Sequence, residues 1–256
     1  MPEVEVSREA AVLTLTLNRP EVLNAFDLAL HRAFAAGLKE ARDPEVRAVV
    51  VTGAGRGFCV GQDLNEFREH ASDVGSHLRA NYHPSIRAIR SLEKPVIAAV
   101  NGPAAGAGLS LACACDIRIA SDAASFAPAF IGIGLVPDSG GSYFLVRLLG
   151  VARAFEWMTS NRKLPAAEAL DWGLISEVVP AEELVARAQE LATRYAAAPT
   201  RGIGMTKRLF DHAETASLEE QLELEAQLQS AATKTADFAE GVAAFLEKRP
   251  PRFTGS

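Results

Sequence analysis

Asp138 stands in the stretch Gly134-Leu135-Val136-Pro137-Asp138-Ser139-Gly140-Gly141, where a proline ends an apolar run and two glycines soften the turn into SYFLVRLL. A single carboxylate so placed has two readings. It is the N-cap of the next helix, a role worth roughly 1 kcal/mol, or it is an acid/base held on a turn. Two glycine-bearing corners give the second reading company. Gly53–Leu64 (GAGRGFCVGQDL) follows the run VRAVVVT, and Asn101–Ser110 (NGPAAGAGLS) follows PVIAAV. Glycine permits unusual backbone angles and close approach. The second corner also opens onto a helical pattern, whose first amide hydrogens lack an intrahelical partner. Two such corners can aim one backbone N–H each at a single oxygen and hold negative charge there. They can equally be tight turns. Neither is a phosphate loop: both lack Gly-Lys-Ser/Thr, and GAGRGF ends on Phe58 where the dinucleotide fingerprint needs glycine.

These residues need a scaffold, and hydrophobic periodicity supplies one. Leu13, Leu15 and Leu17 alternate with Thr14, Thr16 and Asn18, a strand with one buried face. Asp27 caps a helix in which Leu30, Phe34 and Leu38 recur on one side. Val46–Thr52 and Pro95–Val100 are continuous apolar runs, which suit strands covered on both faces. Further strands are predicted at Asp116–Ala120 and Leu174–Val179, with helices over about 106–115, 139–149, 151–159 and 165–171. Beyond Pro180 the pattern is helical throughout, over 181–197, 200–213, 217–233 and 236–249, before the tail PPRFTGS runs over a surface. The expected plan is an α/β core, residues 1–197, followed by a helical region, 198–256. Glu66–Pro84 is the least patterned stretch and reads as a mobile excursion.

At 256 residues the chain can bury a full core, and its 48% hydrophobic content is that of a soluble domain. A net charge of −6 without a Lys/Arg block argues against nucleic acid as the main partner. Cys59, Cys113 and Cys115 make no disulfide framework, and the latter two read as small buried helix residues. His70, His77 and His83 have spacings that fit no compact metal site, so no metal is expected. MPEVEVSRE carries no apolar signal core and no run is long enough to span a membrane, which leads to the expectation of a cytoplasmic protein.

GRGFCVGQDL, KPVIAAVNGPAAGAG and IGLVPDSGG, in this order, strongly resemble the crotonase, or enoyl-CoA hydratase/isomerase, superfamily. The opening LTLNRPEVLNAF and the ending EGVAAFLEKRPPRFTG extend the likeness to nearly the whole chain. The resemblance implies a spiral of ββα units with a C-terminal helical trimerisation region. It also implies an acyl-CoA thioester as substrate and a homotrimer or hexamer as the assembly. No cofactor is implied, because coenzyme A belongs to the substrate. Carried over from the family, the backbone N–H groups that hold the thioester oxygen fall at Gln62 and Ala107. Gly61 and Gly106 shape those corners, and Asp63 beside them is expected to support the backbone. Leu23, Ala25, Val60 and Leu64 match where the family lays the adenine and pantetheine. Tyr82 and Phe130 are acyl-pocket candidates, and Lys248 and Arg249 either meet the CoA phosphates or are solvated charges.

The acids distinguish subfamilies. The two glutamates of the hydratases are replaced here by Ser110 and Phe130. Asp138, eight residues past Phe130, matches the aspartate of dienoyl-CoA and ring-epoxide isomerases of the superfamily. The implied activity is therefore acyl-CoA isomerisation by a single carboxylate. A hydratase of unusual construction and a non-catalytic CoA-binding scaffold are the rivals. Phe126, Phe130, Ile131, Leu135 and Val136 around Asp138 are expected to desolvate it and raise its pKa.

Overall fold

The protein is described from a computed structural model, over residues 1–66 and 73–256. The polar excursion expected at 66–84 therefore lies partly outside the described residues.

Strands β1 (Val4–Glu9) and β2 (Val12–Leu17) form an antiparallel hairpin. Helix α1 (Leu28–Glu40) follows, capped by Asp27, whose Oδ1 accepts the Leu30 N–H at 2.7 Å. β3 (Ala48–Gly53) lies parallel to β2, and β4 (Val96–Val100) parallel to β3. The short β5 (Ala104–Ala105) leads into α2 (Ala107–Ala114). β6 (Ile117–Ser121) pairs with β4, and later β9 (Glu177–Val179) pairs with β6, giving the sheet order β1-β2-β3-β4-β6-β9. A second small sheet joins β5 to β7 (Ser125–Ala127) and β8 (Leu164–Pro165).

Side-chain parity decides where the core sits. On one face of the large sheet, Leu13, Leu15, Leu17, Val49, Val51, Ala98 and Val100 are buried in one cluster with Leu30, Phe34 and Leu38 of α1. On the other, Val12, Ala48, Val50, Ile97, Ala99 and Ile119 pack against Leu184, Ala188 and Leu191 of the helix Leu184–Ala196. The central strands are thus covered on both faces, as their continuous apolar runs predict. β1 escapes the sequence reading because it is an edge strand of which only Val4 is buried. β7 and β8 are two or three residues long, too short to show any period.

The second half of the excursion is helical rather than a loop. Val74–His77 is α-helical, Leu78–Tyr82 forms a π-turn, and His83–Ser91 is α-helical again. Pro84, which marks a boundary in the sequence, sits in the first turn of the last of these. The His83 N–H reaches back to the Leu78 carbonyl, so the widened turn carries the chain up to a residue that has no N–H to give.

Helices Thr200–Ala213, Leu218–Ala232 and Ala236–Glu247 close the chain. The tail folds back on the last of them: the Asp237 carboxylate accepts the Thr254 and Gly255 N–H groups, and Arg47 Nη1 donates to the Phe253 carbonyl. Among the described residues no helix is long and apolar enough to cross a membrane.

Candidate active site

Both glycine corners leave strands of the large sheet and meet. Phe26 donates to the Gly61 carbonyl at 2.7 Å, and the Asp63 N–H returns to the Phe26 carbonyl at 2.8 Å, so the backbone is held on either side of Gln62. Asn24, fully buried, donates through Nδ2 to the Gly57 and Ala54 carbonyls. The Val60 N–H is taken by the Leu23 carbonyl. On the second corner, the Ala105 N–H donates to the Cys59 carbonyl and the Gly106 N–H to the Ala127 carbonyl.

Glycine is required where the corners touch. Gly61 has φ +91, and a Cβ there would lie 3.1 Å from the Ala107 nitrogen. Gly108 packs against the Cys59 carbonyl oxygen, which a Cβ would strike. Ala107 is the first residue of α2, so its N–H has no intrahelical partner and sits at the positive end of the helix. Among the described residues no carbonyl or side chain accepts the Gln62 or the Ala107 N–H. Two unused donors side by side can serve one oxygen.

Asp138 comes to the same place from a third direction. Helix α3 (Gly141–Leu149) has Gly140 as its N-cap, with no side-chain capping bond. Asp138 is therefore not the cap that its sequence position allows. Two successive left-handed residues, Ser139 at φ +51 and Gly140 at φ +84, turn the chain between Asp138 and the helix. The Asp138 carbonyl accepts the Gly141 N–H at 2.8 Å and the Ser110 hydroxyl at 2.9 Å. Ser110, which replaces a hydratase acid, thus ties the turn to α2. Its hydroxyl is a feature that sequence reasoning passed over by noting only the missing carboxylate.

The Asp138 Oδ1 is buried, with no hydrogen-bond partner among the described residues. Burial raises its pKa from the ordinary value, while the Ser139 side chain and the charge of His83 oppose the rise. Of the apolar neighbours expected to desolvate it, Phe130 and Leu135 line the same cavity. Phe126 is buried in the core, whereas Val136 and Ile131 are exposed and line a separate apolar groove outside.

The cavity holds about 510 Å³ and is lined by Ala25, Val60, Gly61, Gln62, Asp63, Leu64, Gly106, Ala107, Phe130 and Asp138, all singled out in the sequence. Val22, Ala129, Gly132, Ile133, Leu135 and Asn161 complete it. Its other carboxylate, Asp63, is paired: Arg19 Nη2 lies 3.2 Å from its Oδ2, and its Oδ1 accepts the Asn65 N–H. Leu23 stands outside the lining, with its side chain against Gly57. Tyr82 is buried behind Gln62, to whose Oε1 its hydroxyl donates at 3.0 Å. His77 and His83 lie on the helical run of 74–91, and His70 falls outside the described residues. Lys248 ends the last helix in a left-handed conformation, and Arg249 pairs with Glu240 and Glu247.

Residues 7–256 match a family model described as enoyl-CoA hydratase/isomerase. A 1,2-epoxyphenylacetyl-CoA isomerase of Escherichia coli (strain K12) is 47% identical over 252 residues, covering 96% of each chain. A protein named "Probable enoyl-CoA hydratase" from Rhodobacter capsulatus is 45% identical over 251 residues, covering 98% of this chain and 96% of its own. The crystal structure of an enoyl-CoA hydratase/isomerase from Mycobacterium abscessus superposes with a TM-score of 0.94 at 39% identity, over 99% of this chain and 100% of that one. Nearly the whole length is shared with all of them, in sequence and in fold, and the chain belongs to the enoyl-CoA hydratase/isomerase family, with the crotonase fold.

Proposed function

We propose that this enzyme isomerises acyl-CoA thioesters, with the ring-1,2-epoxide of phenylacetyl-CoA as substrate and the seven-membered oxepin form as product. The observation that carries the proposal is the state of the cavity's carboxylates. Asp63 is paired with Arg19, whereas Asp138 presents a buried oxygen that has no partner among the described residues, and Ser110 and Phe130 stand where a hydratase keeps its acids. The kinship with the E. coli isomerase points the same way.

The chemistry needs one base and one anion site. Asp138 takes a proton from the carbon next to the thioester, and the electron pair moves onto the thioester oxygen as an enolate. The Gln62 and Ala107 N–H groups receive that oxygen. The ring bond shared with the epoxide opens to the oxepin, and Asp138 returns its proton to a ring carbon. Nothing is gained or lost, so no cofactor or water is consumed. The same parts shift a double bond from the 3 to the 2 position of an enoyl-CoA. Ala25, Val60 and Leu64 at the cavity wall, with Leu23 beside them, receive the adenine and pantetheine. The assembly proposed is a homotrimer, or a dimer of trimers, formed through the C-terminal helices.

The name of the R. capsulatus relative keeps hydration as the second reading. Turnover in ¹⁸O-labelled water separates the two. An isomerase gives a product of unchanged mass from the ring-epoxide thioester. Uptake of labelled oxygen by a 2-enoyl-CoA, with the epoxide left untouched, overturns the proposal. A chain that neither binds nor converts these thioesters is a scaffold without catalysis.

A further inference from the structure

The Gln62 side chain is held in an unusual way. Its Oε1 accepts from the Tyr82 hydroxyl at 3.0 Å and lies 3.1 Å from His77 Nε2. The other ring nitrogen of His77, Nδ1, faces Asn81 Nδ2 at 3.1 Å, and an amide nitrogen only donates. Nδ1 is therefore the acceptor and Nε2 carries the hydrogen, so both anchors donate to the same carboxamide oxygen. Tyr82 is itself fixed, with its ring 4.3 Å from His31 and 5.6 Å from Phe26 between centroids. The consequence falls on the other end of the amide. Gln62 Nε2 is buried, and among the described residues no atom accepts either of its hydrogens. Buried donors are almost always satisfied, and Gln62 is one of the residues that line the cavity.

We infer that the Gln62 carboxamide selects CoA thioesters whose acyl ring carries an ether or epoxide oxygen, donating to that oxygen through Nε2. One residue then addresses both ends of the acyl group, through its backbone N–H and its side chain. The inference rests on the reading above, in which the acyl group lies between Gln62 and Asp138. It adds a reason for Tyr82 and His77: they aim the amide, and do not touch the acyl group.

The test uses two thioesters of equal shape, tetrahydropyran-2-ylacetyl-CoA and cyclohexylacetyl-CoA, which differ by one ring oxygen for a methylene. Their dissociation constants are measured by titration calorimetry on the full-length wild type, on Gln62→Met and on Tyr82→Phe. The wild type is expected to prefer the oxygen ring by about three- to tenfold. In Gln62→Met the ratio falls to about one, and in Tyr82→Phe it falls part of the way, because the amide loses one anchor. Each ratio is internal to one protein, and Tyr82→Phe decides the matter where Gln62→Met does not fold. A wild type without preference, or a preference that persists in the folded variants, overturns the inference. Wild-type turnover of the ring epoxide decides the functional reading separately. A protein that shows the preference but fails to isomerise the epoxide keeps the inference and loses the function. One that isomerises the epoxide but binds neither thioester keeps the function and loses the inference.

Discussion

A carboxylate's surroundings, more than its presence, assign its work. Asp63 and Asp138 line one cavity, yet Arg19 pairs with the first while burial raises the pKa of the second. His31 shows the same rule without a catalytic role. Its two ring nitrogens are buried without partners among the described residues, and its pKa is pulled down to about 3, by burial first and by the charge of His77 second. The folded protein keeps His31 neutral where the unfolded chain protonates it near its ordinary value of 6.5. Its contribution to stability is therefore complete above pH 6.5 and is lost as pH falls toward 3. Replacing His31 with Phe is expected to flatten the acid side of the stability profile, by up to roughly 3 kcal/mol at pH 4. Urea unfolding at pH 7.5, 5.5 and 4 checks this, and identical pH slopes for variant and wild type contradict it.

At the scale of elements, two corners must touch, and small residues make the contact. Gly108→Ala places a methyl against the Cys59 carbonyl, in a segment held by backbone bonds on both sides. A loss of about 1–3 kcal/mol is expected, with kcat lowered about tenfold or more as the two N–H groups separate. Gly202→Ala is the matched control: its Cβ meets only ordinary contact with Pro199 inside a helix, and a gain of up to about 1 kcal/mol is expected. Thermal unfolding of both variants reads the contrast, and equal shifts refute the packing argument. The same corners show what sequence could deliver. Glycine positions and apolar runs located both turns and the central strands, because those features are local. The convergence of Gln62, Ala107 and Asp138 came from the family likeness, since nothing local says that three loops meet. The helical run 74–91 was missed because 66–84 shows no readable apolar period, and the π-turn within it leaves no mark in composition.

At the scale of the molecule, the C-terminal helices leave large apolar groups in water. Phe245 is 84% exposed, Leu246 73% and Phe210 70%. Phe245 and Leu246 are neighbours on one helix, and exposed apolar groups of this size are what an association surface presents; sequence foresaw a helical appendage without showing what covers it. Light scattering after gel filtration is expected to give a multiple of the 27.2 kDa chain for the wild type. The double substitution Phe245→Asp, Leu246→Asp is expected to lower that multiple. A wild-type monomer, or an unchanged mass in the variant, contradicts association through this face.

Asp138→Asn tests the proposed proton transfer with the least disturbance of shape. Single-turnover isomerisation of the ring-epoxide thioester is expected to slow by about 10²–10⁴, while the dissociation constant for cyclohexylacetyl-CoA stays within a few-fold. The wild-type rate is expected to rise with pH through a midpoint above the ordinary aspartate value, because the base must be ionised and burial raises its pKa. Asp138→Asn turning over within a few-fold of wild type contradicts the account.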